Sequence, residues 1–119
     1  MATTVDWKKL RRLLNFLQCT KDDERIMSRT TLKTLFTWVD ASYGVHPDMR
    51  SHTGGTMSLG HGVLNTMSAK QKLNTKSSTE SEVVGASDYL PKNIWATMFL
   101  QAQGHVLDNN VFFRTTCRP

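Results

Sequence analysis

Two acidic residues in very different surroundings are the strongest indication of chemistry in this chain. Asp40 stands in a run of aromatic and β-branched residues, which predicts a strand. Glu82 follows a segment rich in Ser and Thr, which is typical of a helix start. A carboxylate in mid-strand and another in the first turns of a helix can converge on one hard cation. The pair therefore predicts a metal site suited to cleaving a phosphodiester.

Both carboxylates also have ordinary structural interpretations. Asp40 could begin a turn, because Ala-Ser-Tyr-Gly follows it. Glu82 with Thr79, and Glu80 with Ser77, each match the spacing of a capping box. Only one of the two boxes can cap a single helix start. If Ser77 and Glu80 form it, Glu82 lies further into the helix and is free to face a ligand.

The size and charge of the chain favour one domain, or part of one, with an anionic partner. The sequence has 119 residues and a net charge of +5, and a moderate basic excess is typical of proteins that bind nucleic acid. Lys70, Lys72 and Lys76 precede the predicted helix and could contact phosphates. The alternative for this basic patch is a solvated loop.

The composition also predicts the cellular compartment and argues against metal sites built from cysteine or histidine. Cys19 and Cys117 lack metal-ligand spacing, which favours free thiols in a reducing environment. The first residues lack the apolar core of a signal peptide, and no apolar run has the length of a membrane span. We therefore expect an intracellular protein, cytoplasmic or nuclear, with no membrane partner. The histidines are not spaced as zinc ligands on one helix and are expected in loops and on the surface: His46, His52, His61 and His105.

The hydrophobic pattern predicts a mixed set of elements. A helix is expected over 7–18 with Asp6 as its N-cap, followed by a link. A strand over 35–43 is followed by a hairpin, which together make a three-stranded antiparallel meander. The hairpin strands are predicted at 56–59 and 63–68.

The second half of the chain predicts one long helix and one short strand. The helix is expected from Thr79, with a kink or a restart at Pro91 and an end at Gly104. Asn110 to Arg114 is predicted to form a short apolar strand.

Three segments carry a resemblance to a known family. Residues 38–42, 46–55 and 70–84 resemble the ribonuclease H region of Ty1/copia-type retrotransposon polyproteins, both in their amino acids and in the order of the three segments. The helix over 7–20 resembles the one that closes the reverse transcriptase part. The resemblance covers roughly residues 5 to 113. It implies a ribonuclease H-like α/β fold that hydrolyses the RNA strand of RNA–DNA hybrids with two Mg²⁺ ions.

The resemblance also implies roles for individual residues. Asp40 corresponds to the first metal-bridging Asp and Glu82 to the helix Glu, with Glu80 left as the cap partner. Thr115 occupies the place of the third catalytic Asp, so we expect activity to be lost or nearly lost and Mg²⁺ binding to be weak. The sequence therefore leaves it uncertain whether the chain is an enzyme. The alternative function is a non-catalytic module that binds nucleic acid or another partner.

These expectations combine into one architecture. We predict an incomplete α/β, ribonuclease H-like fold: a three-stranded meander, a kinked helix and a short parallel strand, preceded by an extra N-terminal helix. The predicted boundaries are 1–20 for the reverse transcriptase helix, 21–34 for a linker, 35–114 for the ribonuclease H-like domain and 115–119 for a divergent tail. Missing helices would leave apolar sheet surface exposed, which predicts marginal stability or self-association.

Overall fold

A computed structural model describes residues 2–24, 26–29 and 33–114. Its elements are α1 (Thr4–Cys19), β1 (Ser28–Arg29), β2 (Thr34–Ser42), β3 (His52–Ser58), β4 (Gly60–His61), β5 (Asn65–Lys70), α2 (Ser78–Ala102) and β6 (Asn109–Arg114). Within these residues no helix is both long and apolar enough to cross a lipid bilayer.

The larger sheet has four strands in the order β5-β3-β2-β6. Strands β5, β3 and β2 are antiparallel neighbours, and β6 runs parallel to β2. Strands β1 and β4 form a separate two-stranded ladder. The fold is therefore a mixed α/β fold with a four-stranded mixed sheet and two helices. The predicted meander and the parallel final strand are confirmed.

One face of the sheet carries the core. Leu35, Val39 and Met57 are buried beneath α2, together with Tyr89 from that helix. Alternate residues of β2 face this core, as expected for a strand with one covered side. The intervening residues, Trp38 and its neighbours on the same side, remain partly exposed.

The buried side-chain amide of Asn93 connects α2 to the sheet. The Asn93 amide donates to Thr37 Oγ1 at 2.7 Å and to Asn110 Oδ1 at 2.9 Å. The Asn110 amide donates back to Asn93 Oδ1 at 2.7 Å. A buried amide with its partners in place orients the groups that it joins. Asn93 therefore fixes α2 against both β2 and β6.

The start of α2 decides between the two predicted caps. The backbone N–H of Glu80 donates to Ser77 Oγ at 3.1 Å, and Ser77 is the N-cap. The Glu80 carboxylate accepts the backbone N–H of Lys76 at 2.7 Å. The Ser77–Glu80 alternative is therefore confirmed in its N-cap hydrogen bond, while the carboxylate reaches one residue beyond the cap.

The remainder of α2 differs from the prediction in one respect. The helix runs 25 residues without interruption through Pro91, so of the two predicted alternatives the restart is wrong, while the kink stays a prediction. Tyr89 and Asn93 are buried on either side of the proline and hold that turn against the sheet, which outweighs the loss of one backbone donor. Gly104 follows the C-terminal turn with φ +83°, as expected of a terminating glycine.

Several predicted boundaries shift. Helix α1 begins at Thr4 and is capped by Thr3, not by Asp6. The Asp6 carboxylate instead accepts from the Thr3 backbone N–H at 2.8 Å, and its hydrogen bonds to the Thr3 side chain and backbone lower the pKa of Asp6. Strand β3 begins at His52, because Gly54 and Gly55 lie within the ladder and not before it.

The predicted domain boundaries remain predictions. Strand β1 lies inside the predicted linker and pairs with β4. Thr115, Cys117 and the rest of the predicted tail lie outside the described residues.

Candidate functional site

The two predicted catalytic carboxylates, Asp40 and Glu82, lie on opposite sides of the sheet. Asp40 is exposed and follows the buried Val39, so strand alternation turns it away from α2. Arg114 of β6 is aligned with Val39 and therefore lies on the α2 side. Glu82 contacts Arg114 on that side. The structure does not bring the predicted pair together.

Glu82 is engaged by a cation of the chain itself. Its side chain is 6% exposed, and Oε2 lies 3.6 Å from Arg114 Nε. A guanidinium supplies the charge that such a carboxylate needs when it leaves water. Arg114 thus supplies a positive charge beside the Glu82 carboxylate.

The described residues show no group of side chains that could hold a metal ion. Within residues 2–24, 26–29 and 33–114, no three side chains of His, Cys, Asp or Glu are grouped so that they could hold a metal ion. Mg²⁺ favours near-octahedral oxygen sites with well-placed carboxylates. Magnesium binding by Asp40 and Glu82 stays a prediction, and no chemical step is derived from it.

The predicted basic patch is partly neutralised. Lys70 ends β5, and its ammonium contacts the Asp48 carboxylate. The hydrogen bond from Lys70 lowers the pKa of Asp48. Lys72 and Lys76 are exposed in the segment after β5. Nucleic-acid binding by Lys70, Lys72 and Lys76 stays a prediction.

The side of the sheet away from α2, here called the open face, carries an aromatic cluster. The rings of Trp38 and Phe113 stack with their centroids 5.5 Å apart, and Phe36 stacks on Trp38 at 5.9 Å. Trp38 is 41% exposed and Phe113 is 43% exposed. Apolar side chains grouped in this way mark surfaces that contact other molecules.

A shallow cavity lies beside this cluster. Its volume is about 250 Å³, and Trp38, Asp40 and Thr66 contribute to its lining. Gly54 also lines the cavity. A Cβ added at this glycine would meet no other atom within 4 Å, so the space above it is open. An aromatic face next to a carboxylate suits an apolar side chain that carries a positive charge.

Three side chains that the sequence did not link form a row of hydrogen bonds on the open face. His46 Nε2 lies 3.0 Å from His52 Nδ1, and His52 Nε2 lies 2.8 Å from Ser68 Oγ. These residues are six and sixteen positions apart, so no local motif joins them. The pairing of β3 with β5 and the fold of the β2–β3 loop bring them together.

A second cavity lies between α2 and the β3–β5 hairpin. Its volume is about 430 Å³, and its lining contains no carboxylate. The residues that line it are Met57, Asn65, Pro91, Lys92, Trp95 and Ala96. This cavity is therefore separate from both predicted acidic residues.

Comparison with known proteins finds a distant relative but shows no family. The chain is 29% identical over 93 residues to a protein described as "Secreted RxLR effector protein 161" from Plasmopara viticola. The match covers 77% of this chain and 66% of that protein, so the chain spans just under two thirds of the relative's length. No family model matches the sequence, and no solved structure matches it.

This relative overturns four expectations. The similarity is to a protein named as a secreted effector, so the assignment to Ty1/copia-type retrotransposon ribonuclease H is wrong. Two further expectations rested on that assignment and are wrong as well: hydrolysis of RNA–DNA hybrids and the reverse transcriptase origin of the first helix. The expected intracellular location is contradicted by the same name.

The segments that carried the family resemblance have structural roles here. Ser77 and Glu80 build the start of α2. The buried Gln71 amide donates to Thr53 Oγ1 and to the Ser81 carbonyl, which joins β3 to α2. Gly55 lies directly against the Tyr89 ring. Helix capping and close packing are therefore sufficient to explain these residue types at these positions.

Proposed function

We propose that this chain is a secreted, effector-like binding module that acts as a homodimer, with α1 of each copy packed on the open face of the other. The observation that carries the proposal is the exposed stack of Phe36, Trp38 and Phe113. An uncovered sheet face with stacked aromatic rings gains free energy when another apolar surface covers it.

Helix α1 supplies a surface that matches the open face. It has no buried residue, and its apolar stripe is solvent-exposed along the whole helix. The stripe consists of Trp7, Leu10, Leu13, Leu14 and Leu17. An amphipathic helix of this kind is stable in a protein mainly when its apolar side is covered.

The dimensions of the two surfaces agree. A helix of 16 residues is about 24 Å long at about 1.5 Å per residue. Strand β2 has nine residues and extends about 30 Å at about 3.3 Å per residue. Helix α1 can therefore lie along β2 over most of its length.

Charge selects a second copy as the occupant. Arg11 lies one turn after Trp7 and one turn before Leu14, so it borders the apolar stripe. Asp40 lies next to Trp38 on the open face. A helix that packs on Trp38 would bring the Arg11 guanidinium towards the Asp40 carboxylate, and this pair would fix the orientation of the helix.

The relative supports the secreted and effector-like part of the proposal. It is named as a secreted effector, and a chain that works by binding needs an exposed surface of the kind seen here.

The strand order supports a finer description of the fold. The sheet has three antiparallel strands followed, after a helix, by a parallel strand beside the first, and from this order we infer a ribonuclease H-like arrangement of the sheet. This inference concerns architecture alone and implies no nuclease activity.

Sedimentation velocity tests the proposal. The wild-type chain of 13.5 kDa is expected to sediment as a dimer of about twice that mass at micromolar concentration. Trp38→Ser is expected to raise the dimer Kd about 10- to 100-fold, because loss of a buried aromatic anchor costs roughly 1.4–3 kcal/mol.

The matched control is Trp95→Ser. Trp95 is 66% exposed on α2 and stacks on Phe99, so it is also an exposed, stacked tryptophan, but it lies outside the proposed interface. The control should sediment as the wild type does. A wild-type chain that is monomeric at 100 µM, or a dimer equally weakened by both substitutions, would contradict the proposal.

A further inference from the structure

We propose that Ser68 is a nucleophile that accepts acyl groups from short carboxylic esters, with His52 as its general base and His46 as a positioning residue. Ser68 is exposed on β5. Its Oγ lies 2.8 Å from His52 Nε2, and His52 Nδ1 lies 3.0 Å from His46 Nε2. A nucleophile, a base and a third group that orients the base are the three parts of an activated serine.

The strand register holds the first two members of this chain. His52 pairs with Lys70 across the β3–β5 ladder, and Gly54 pairs with Ser68. His52 and Ser68 are therefore diagonal neighbours on one face of an antiparallel pair, a separation that long side chains can bridge. Their contact does not depend on a mobile terminus or on a loop.

The β2–β3 loop holds the third member. The His46 backbone N–H donates to the Arg50 carbonyl at 3.2 Å, and its carbonyl accepts from Met49 at 2.8 Å. Met49 adopts a left-handed backbone with φ +61°, which is rare for such a side chain and is kept only where surroundings enforce it. The turn fixes the imidazole of His46 against that of His52.

The mechanism requires one tautomer of the two histidines. In it His52 Nδ1–H donates to His46 Nε2, and His52 Nε2 accepts the Ser68 hydroxyl proton. Ser68 Oγ attacks the ester carbonyl carbon while its proton moves to His52 Nε2. When the bond between carbon and the alcohol oxygen breaks, the departing oxygen takes that proton from His52.

Water completes the cycle. The product of the first stage is an ester of Ser68 and a free alcohol. A water molecule then attacks the acyl carbon and gives its proton to His52, which returns it to Ser68 Oγ as the carboxylic acid leaves. The sequence of steps hydrolyses one ester with one water and needs no oxidant, reductant or metal.

The surroundings of Ser68 indicate the substrate class. Gly54 is paired directly with Ser68 and leaves open space above the strand. In the proposed dimer α1 of the other copy covers Trp38 and Asp40, which line the neighbouring cavity. Ser68 lies on β5, the edge strand of the sheet, and is reached from that edge. The expected substrates are short esters whose acyl group fits the open space at Gly54.

Labelling with a fluorophosphonate, followed by intact mass measurement, tests this assignment. The wild-type chain is expected to gain one adduct, located at Ser68 by peptide mapping. Ser68→Ala should remove it, and His52→Gln should slow it at least 100-fold, because a positioned base contributes about 10²–10⁴ in rate. Ser87→Ala is the matched control, since Ser87 is an exposed serine on α2, and it should label at the wild-type rate.

Two further variants separate positioning from simple support of the loop. His46→Ala should slow labelling at least tenfold, and His46→Glu should restore most of it, because the Glu carboxylate can accept from His52 Nδ1–H. Circular dichroism of each variant confirms that the fold is retained. Folded wild-type protein that gains no adduct at Ser68, or an adduct that forms equally fast in folded His52→Gln, would overturn the proposal.

Discussion

Gly55→Ala is expected to lower the free energy of unfolding by about 3 kcal/mol, because overpacking a tight contact costs roughly 1–3 kcal/mol and more where neighbours cannot move. A Cβ at Gly55 would lie 2.4 Å from Tyr89 Cδ2 and 2.5 Å from Cε2. Tyr89 is fully buried, and its hydroxyl donates to Asn65 Oδ1 at 3.1 Å. The ring is therefore held at both ends and cannot move away without breaking this hydrogen bond.

Urea denaturation followed by far-ultraviolet circular dichroism measures this change. Gly54→Ala is the matched control, because a Cβ on the neighbouring glycine meets nothing within 4 Å. The control should shift the free energy of unfolding by no more than about 0.5 kcal/mol, as surface substitutions generally do. Equal destabilisation by the two substitutions would show that α2 does not pack on β3 in the way described.

Asn93→Ala is expected to destabilise the fold by about 2–3 kcal/mol, since each buried polar group left without a partner costs roughly 1–3 kcal/mol. The substitution removes the donor to Thr37 Oγ1 and both bonds with the Asn110 amide. Thr37 is fully buried, so water cannot replace the lost donor without opening the core.

The same urea measurement tests Asn93, with Gln101→Ala as its control. Gln101 is an exposed residue of α2, and its replacement by Ala changes mainly helix propensity, by a few tenths of a kcal/mol. A loss below about 0.5 kcal/mol for Asn93→Ala would mean that the amide network does not join α2 to the sheet.

Local sequence patterns predicted most of the elements because each pattern reflects a local physical requirement. Aromatic and β-branched residues around Trp38 predicted β2, and the structure places that strand at Thr34–Ser42. Ser77 and Glu80 predicted the start of α2, because N–H groups at a helix start need acceptors nearby in sequence. These requirements are satisfied within a few residues, so the sequence alone reveals them.

Features that depend on distant contacts were not predictable in this way. Gly54 and Gly55 read as a break before a strand, yet they lie inside β3, where Gly55 admits the Tyr89 ring. Pro91 predicted a possible restart, but the buried residues beside it keep α2 continuous. In each case packing between elements outweighs a local preference.

The predicted site shows the same limit. The prediction paired Asp40 with Glu82 because a strand and a later helix carry them. The order of elements along the chain does not reveal which face of β2 the helix covers. The side is decided by Leu35, Thr37 and Val39, which are buried while Asp40 is not. The contact of Ser68 with His52 depends on strand register, which no short motif encodes.

A paired charge reversal tests the central claim most directly, namely that α1 of one copy packs beside Asp40 of another. One variant carries Asp40→Arg and the other carries Arg11→Glu. Each variant alone would place like charges together at both interfaces of its dimer, at a cost that weakens association. In the mixed dimer one interface keeps the native Arg11–Asp40 pair and the other has the reversed pair.

The measurement is sedimentation velocity of each variant alone and of the equimolar mixture, at the concentration where the wild type is a dimer. We expect each variant alone to sediment as a 13.5 kDa monomer and the mixture to restore the dimer. Variants that dimerise alone as well as the wild type, or a mixture that stays monomeric, would contradict the account.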